Sequence, residues 1–127
     1  MTEYEEHLFD LTNNPNVTYY KLSVNGKCSF DDFLKEIEKN VSDRKHLNSI
    51  LAYMDSLGAQ LLPSTIYNHI KNSKRTDLFE FKKDRLRVYV IDQRPNIYIV
   101  MGGYKGNQVN DISNLNNKTK DFPKQQR

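Results

Sequence analysis

The sequence predicts a small α+β domain, and three observations support that prediction. First, 127 residues with 37% hydrophobic side chains can bury one modest core but not two. Second, apolar residues at helical spacing are concentrated in one stretch, residues 29–58. Third, runs of β-branched and aromatic residues lie on both sides of that stretch. We therefore expect a helical hairpin that packs on one face of a small sheet.

The N-terminal half is predicted to form one strand and two helices. Residues 1–16 come first; they are acidic and rich in turn formers, so we expect a mobile extension. Turn signals and capping residues then delimit three elements: a strand over residues 17–24, a helix over 29–39 and a helix over 42–58. The two helices should form an antiparallel hairpin because the connection between them is short.

The C-terminal half is predicted to contain mainly strands. Residues 63–70 are compatible with a short helical turn. Apolar positions between residues 109 and 115 suit a short terminal helix, and we expect a disordered tail over 116–127. The folded domain would thus span residues 17–115. Between residues 70 and 109, three β-rich runs should form an antiparallel meander: residues 77–82, 86–92 and 97–101.

Charge is distributed unevenly along the chain. Residues 1–20 contain four acidic side chains and no Lys or Arg, whereas residues 71–127 contain thirteen Lys and Arg against six Asp and Glu. Such asymmetry suggests a polyanionic partner, nucleic acid first, although a solvated basic face is the alternative.

Several classes of function are disfavoured by composition. No apolar run approaches the roughly 20 residues of a membrane span, and the acidic N-terminus is unlike a signal peptide, so we expect a cytoplasmic protein without membrane contact. One cysteine, Cys28, cannot form an internal disulfide. The histidines show no metal-ligand spacing, so we expect neither a metal nor another cofactor: His7, His46 and His69.

The stretch FEFKKDRLRVYVI, residues 79–91, places four cations inside a β-rich run. Side chains alternate across a strand, so its aliphatic face can cover the helical hairpin while a basic, tyrosine-containing face lies opposite. Arg and Lys bind phosphates, and tyrosine rings stack on bases, so the basic face is typical of an RNA-binding platform. The alternative is an ordinary solvated sheet face. The candidate residues are Glu80, Lys82, Arg85, Arg87 and Tyr89, with Lys83 directed to the other face.

A second candidate segment, MGGYKGNQ, spans residues 101–108. Its two glycines end the last predicted strand before Tyr104 and Lys105. Glycine permits either a sharp exit from the strand or a close approach of the backbone to a ligand. A strand-ending turn is the simpler interpretation.

Three segments are informative when they are taken together: NGKCSFDDFL (25–34), LFEFKKDRLRVYV (78–90) and GGYKGNQVNDI (102–112). In this order they resemble the RelE/ParE toxin superfamily, specifically its HigB-like, phage-derived branch. The predicted order of elements, β, α, α, β, β, β, also agrees. The resemblance implies a type II toxin that a cognate antitoxin neutralises, and in RelE- and HigB-like members a ribosome-dependent endoribonuclease that cuts mRNA. ParE-like members share the fold but poison DNA gyrase, and an inactive RNA- or antitoxin-binding module is a third possibility.

The resemblance also implies positions for the site. Lys82 and Arg87 match basic residues of two successive strands, and Tyr104 and Lys105 match the aromatic and basic residues after the last strand. The second basic residue expected there is Gly106 in this chain. Lys83 and Arg85 are additional cations without a firm match, so we place them with Glu80 and Tyr89 as candidate RNA contacts.

Metal-free RNA cleavage proceeds by attack of the 2′-hydroxyl on the adjacent phosphate. It requires a proton acceptor, stabilisation of the charge on the phosphate, and a proton donor to the leaving oxygen. In this chain Lys82 or Glu80 is the candidate acceptor, Arg87 the phosphate clamp, and Lys105 or Tyr104 the donor. Both lysine and tyrosine would need shifted pKa values to act near neutral pH.

Overall fold

A computed structural model describes residues 1–125, and its centre is one six-stranded sheet. The strands are β1 (Tyr4–Leu8), β2 (Thr18–Val24), β3 (Tyr67–His69), β4 (Leu78–Lys83), β5 (Leu86–Gln93) and β6 (Asn96–Tyr104). The helices are α1 (Ser29–Ile37), α2 (Val41–Ser56) and α3 (Gln108–Thr119), with a short 3-10 turn at Lys105–Asn107. Among residues 1–125, no helix has the length and apolar character that crossing a bilayer requires.

The spatial order of the strands is β1-β2-β6-β5-β4-β3. β2 runs parallel to β6, and every other neighbouring pair is antiparallel. The α+β class is therefore confirmed, whereas the predicted architecture matches only coarsely. The sheet is mixed and has six strands, because β1 and β3 extend it at its two edges beyond the strands that the sequence predicted.

The helices α1 and α2 lie on one face of the sheet. α1 packs mainly on β6, and α2 packs on β4 and β5, so the two helices contact the sheet more than each other. The predicted hairpin therefore does not match in detail. α2 begins one residue before its predicted start because Asn40 caps it: the Asn40 side chain accepts a hydrogen bond from the backbone N–H of Asp43 at 3.0 Å. Gly58 follows the helix with φ +92°, where glycine avoids strain.

The segment before β4 differs from its prediction. A turn at Pro63 leads into β3 instead of a helical turn, and Tyr67 pairs with Phe81 across the two strands. Aromatic packing explains the preference for a strand, because the Tyr67 ring lies 4.4 Å from the Phe81 ring and 5.0 Å from the Phe79 ring, measured between centroids. The Tyr67 hydroxyl also donates to Asp92 at 2.6 Å.

Within residues 1–125, both terminal segments have residues that pack on the domain, where the sequence suggested a mobile extension and a disordered tail. In the first segment β1 pairs with β2, Phe9 is buried, and the Asn14 amide donates to the carbonyls of Met54 and Leu57. At the other end α3 continues to Thr119, and Phe122 is buried. The last two residues of the predicted tail, 126–127, lie outside the described part of the chain.

The sheet has an apolar core on each face. The core beneath α1 and α2 includes Phe30, Phe33, Ile50, Met54, Val88 and Ile99. The opposite core is covered by α3 and the segment after it, and it includes Leu22, Ile91, Val100, Leu115 and Phe122. Because both faces are covered, the sheet has no open platform in its centre.

Gly102 and Gly103 lie inside β6 and allow this double packing, rather than forming the strand-ending turn that we expected. A Cβ atom at Gly102 would lie 2.1 Å from the ring of Phe33 on α1. A Cβ atom at Gly103 would lie 2.1 Å from Oδ2 of Asp111 on α3. The two glycines therefore bring one helix close to each face of the same strand.

Candidate functional site

The face that the sequence assigned to RNA is covered by α3. Alternation places Glu80, Arg87 and Tyr89 on that face, as predicted, but their exposed fractions are only 7%, 7% and 0%. The sequence predicted a short terminal helix over residues 109–115 but did not place that helix on this face. The Asn-rich α3 nevertheless packs there through Leu115. An RNA base cannot stack on Tyr89 in this arrangement.

Arg87 takes part in a buried polar network. Its Nη1 donates to the carbonyl oxygens of Asp84 at 2.7 Å and Leu86 at 2.8 Å, and its Nε lies 3.7 Å from Oε1 of Glu80. The two Glu80 carboxylate oxygens accept hydrogen bonds from the Asn68 and Gln108 amides at 3.1 and 3.2 Å. Arg87 therefore stabilises the β4–β5 connection and neutralises Glu80, which makes both residues structural in this conformation.

Some polar atoms near this network have no hydrogen-bond partner within residues 1–125. They are Nε of Arg87, the hydroxyl of Tyr89 and Oδ2 of Asp111. Burial raises the pKa values of Tyr89 and Asp111. Burial therefore makes ionisation of both groups less favourable than it is in water.

A different set of polar residues meets at the turn between β4 and β5. Asp84 and Arg85 form this turn, and Asp84 has φ +52°. The backbone N–H of Lys105 donates to the carbonyl of Arg85 at 2.8 Å, which ties the end of β6 to the turn. Residues that are far apart in sequence, from α2, the turn and the segment after β6, are thereby brought together.

Arg85 is held on the helical side of this turn. Its Nε and Nη2 donate to the two oxygens of the buried Asp43 carboxylate at 2.9 and 2.5 Å. This hydrogen bonding holds the pKa of Asp43 below its ordinary value. The Arg85 guanidinium also lies 4.7 Å from the centroid of the Tyr104 ring. Arg85 therefore contributes little unpaired charge, but its side chain is more than half exposed.

Tyr104 lies beneath Arg85, and its hydroxyl donates to Oε1 of Glu36 at 3.0 Å. Burial and this hydrogen bond raise the pKa of Tyr104 to about 12. The phenol therefore stays protonated near neutral pH. It can donate or orient a hydrogen bond, but it cannot act as a base there.

His46 is a member of this cluster that the sequence analysis missed. Its Nε2 lies 2.9 Å from Oδ2 of Asp84, and its Nδ1 is buried without a partner within residues 1–125. The spacing of Asp43, His46, Ile50 and Met54 places all four on the sheet-facing side of α2. That spacing was the signal available in the sequence.

Two cavities flank the turn, and Asp84 lines both. The larger has a volume of about 480 Å³ and includes His46, Arg85 and Lys105. The smaller, about 350 Å³, is lined by Tyr53, Thr65, Ile66, Lys82, Lys83, Asp84 and Arg87.

We call these surroundings the turn site and define it by Lys82, Lys83, Asp84, Arg85, Lys105 and His46. It combines four cations with an imidazole and a carboxylate. Of the predicted site residues, Glu80 and Tyr89 lie outside it, Tyr104 lies beneath it, and Arg87 reaches only its inner edge. Within residues 1–125, no group of three or more His, Cys, Asp and Glu side chains is placed to hold a metal ion.

Comparison of the chain with protein-family models, with curated proteins and with solved structures gives no match. The resemblance to the RelE/ParE superfamily therefore stays a prediction from three short motifs.

Proposed function

We propose that this protein is a type II toxin that binds RNA at the turn site and cleaves mRNA on the ribosome in the cytoplasm. The observation that best supports the proposal is the meeting of Lys82, Lys83, Arg85 and Lys105 around one turn beside His46. The order β2, α1, α2, β4, β5, β6 is also the one that the family resemblance implies. A cognate antitoxin is the proposed cellular partner.

The geometry supports a revised division of roles. Lys82, Lys83 and Lys105 have no carboxylate partner within residues 1–125, so their ammonium groups are available to phosphates. Arg85 is already paired with Asp43 and serves mainly to shape the cavity. His46 is the proposed proton carrier. Its Nε2 contacts Asp84, which is exposed on a turn, so a phosphate can displace Asp84 and bind beside the imidazole. Lys82 is the alternative proton acceptor.

A purified translation reaction with end mapping of the mRNA tests this proposal. We expect cuts only while ribosomes translate the message, with 2′,3′-cyclic phosphate ends, since the small sheet has few residues with which to position naked RNA. His46→Ala should abolish the cuts if His46 transfers the proton. Lys39→Ala, which removes an exposed cation in the turn after α1, is the matched control and should cut normally.

Two other outcomes would replace the proposal. Trapped DNA breaks with gyrase, without mRNA cuts, would indicate a ParE-like toxin. RNA or antitoxin binding without cleavage of either nucleic acid would indicate an inactive binding module. A specific observation favours the latter as second candidate: two cations of the region are neutralised internally, in the pairs Arg85–Asp43 and Arg87–Glu80.

A further inference from the structure

A second polar cleft lies at the end of β4 and β5 that is opposite to the turn site. Its volume is about 840 Å³, and the start of β4, the end of β5 and the C-terminal segment form its walls. The C-terminal segment is fixed there because the Gln93 amide donates to the carbonyl of Pro123 at 2.8 Å, and the Gln125 amide donates to the carbonyl of Arg94 at 2.9 Å. The cleft is thus separate from the turn site.

The charges of this cleft do not cancel. Asp77 is bound by the buried Arg75, whose Nε and Nη2 donate to its two oxygens at 2.8 and 2.9 Å. Asp92 is paired with Arg94, whose Nε lies 3.2 Å from Oδ2. Each carboxylate therefore already has an arginine. Lys74 and Lys124 also line the cleft, and neither has a carboxylate partner within residues 1–125, so two ammonium groups remain to bind an anion.

The cleft also contains an aromatic wall. The half-buried ring of Phe79 lines it, and Tyr67 supports that ring from behind at 5.0 Å between centroids with planes 16° apart. The Tyr67 hydroxyl is itself fixed by Asp92. A ring that is held in this way is suited to contact a flat, unsaturated group, as aromatic side chains do in sites that stack nucleobases.

We propose that this cleft binds a nucleotide unit, with its phosphate on Lys74 and Lys124 and its base against Phe79. Free nucleotides and single-stranded RNA share this chemistry. The inference does not depend on mRNA cleavage, because none of its residues belongs to the turn site.

Isothermal titration with 5′-AMP, adenosine and inorganic phosphate tests the proposal, together with fluorescence polarisation of a labelled eight-nucleotide RNA. We expect the double variant Lys74→Ala/Lys124→Ala to weaken 5′-AMP binding about tenfold, the loss expected for charge-assisted hydrogen bonds. Phe79→Leu should weaken 5′-AMP binding and leave phosphate binding unchanged. Lys39→Ala is the control with the same loss of charge elsewhere, and His46→Ala should bind 5′-AMP normally whether or not the turn site is catalytic.

The outcomes separate clearly. If the double variant loses 5′-AMP binding but still binds the RNA, the ligand is a free nucleotide. If the double variant loses RNA binding, whether or not it also loses 5′-AMP binding, the ligand is an RNA strand. Equal affinities of the double variant and Lys39→Ala for both probes would overturn the proposal, as would adenosine binding as tightly as 5′-AMP. The two lysines are exposed, so this double variant should fold, and thermal unfolding verifies that it does.

Discussion

Asp43 on α2 and Arg85 in the β4–β5 turn form a two-point ion pair, with 2.9 Å between Arg85 Nε and Asp43 Oδ1. The carboxylate is 3% exposed, whereas the guanidinium extends over the Tyr104 ring into solvent. This pair fixes the N-terminal turn of α2 against the sheet. It thereby positions His46, three residues further along the same helix, beside the turn site.

The Asp43–Arg85 pair should make stability depend on acid pH. The hydrogen bond from Arg85 lowers the pKa of Asp43 in the folded state below its ordinary value of 3.8. The pair therefore stabilises the fold fully at pH values above the pKa that Asp43 has in the unfolded chain. This stabilisation is lost as the pH falls below about 4, through the lower pKa that Asp43 has in the folded state. Asp43→Asn should have a lower Tm by about 5 °C at pH 7, and its Tm should change less than that of the wild type between pH 5 and 2.5.

Thermal unfolding followed by circular dichroism at several pH values measures this difference. Asp31, whose pKa is lowered by its hydrogen bond with Lys21, titrates in the same range in both proteins. Only the difference between wild type and Asp43→Asn is therefore informative. Parallel Tm curves would show that the pair does not stabilise the fold.

The buried Glu80–Arg87 pair leads to a second prediction. Glu80→Gln should lower the free energy of unfolding by about 3–5 kcal/mol, because it leaves the Arg87 guanidinium buried without its counter-charge. The double variant Glu80→Gln/Arg87→Met removes both charges and should regain part of that loss. Urea unfolding measures both values. If the double variant is less stable than Glu80→Gln, then Glu80 and Arg87 do not stabilise the fold by neutralising each other's charge.

The same pair shows where sequence reasoning reached its limit. Alternation along β5 correctly placed Arg87 and Tyr89 on the face opposite to Val88, because the period of a strand is fixed by local geometry. Whether that face is open depends on a tertiary contact. Leu115 is one of few apolar residues in α3, so its sequence gave only a weak signal that the helix would cover the strand.

The missed edge strands have a similar explanation. The segment Tyr4–Leu8 has the sequence YEEHL, and every residue in it except Tyr4 is exposed, so it lacks the alternation of apolar and polar residues that predicts a strand. It becomes a strand because β2 offers a free edge, and Tyr4 then donates to the carbonyl of Lys118 at 2.6 Å. Likewise His46 was not recognised as part of the turn site because Asp84 lies 38 positions away, and only the packing of α2 on the sheet brings the two together.

The close approach of α1 to β6 leads to a third prediction. Gly102→Ala would place a methyl group 2.1 Å from the buried Phe33 ring, so we expect a loss of about 1–3 kcal/mol in the free energy of unfolding. Phe33→Leu in the same chain should reduce that loss, because the smaller side chain makes room for the methyl group. The measurement is a double-mutant cycle by urea unfolding. Additive effects of the two substitutions would contradict this contact.

The fourth prediction separates the two adjacent lysines of the turn site. Lys82 and Lys83 alternate to opposite faces of β4 yet line the same cavity beside the turn. If each ammonium contacts one phosphate of single-stranded RNA, replacing either by Ala should make the slope of log K against log salt shallower by about 0.7. Only Lys82→Ala should also slow mRNA cleavage, because Lys82 is the proposed alternative to His46 as proton acceptor, whereas Lys83 lies on the other face of β4 and is proposed only to bind phosphate. Salt titrations of RNA binding, combined with single-turnover cleavage on translating ribosomes, measure the two effects. If Lys83→Ala slows cleavage while Lys82→Ala retains the wild-type rate, then Lys82 is not the proton acceptor and the register of β4 does not determine which lysine reaches the reacting phosphate.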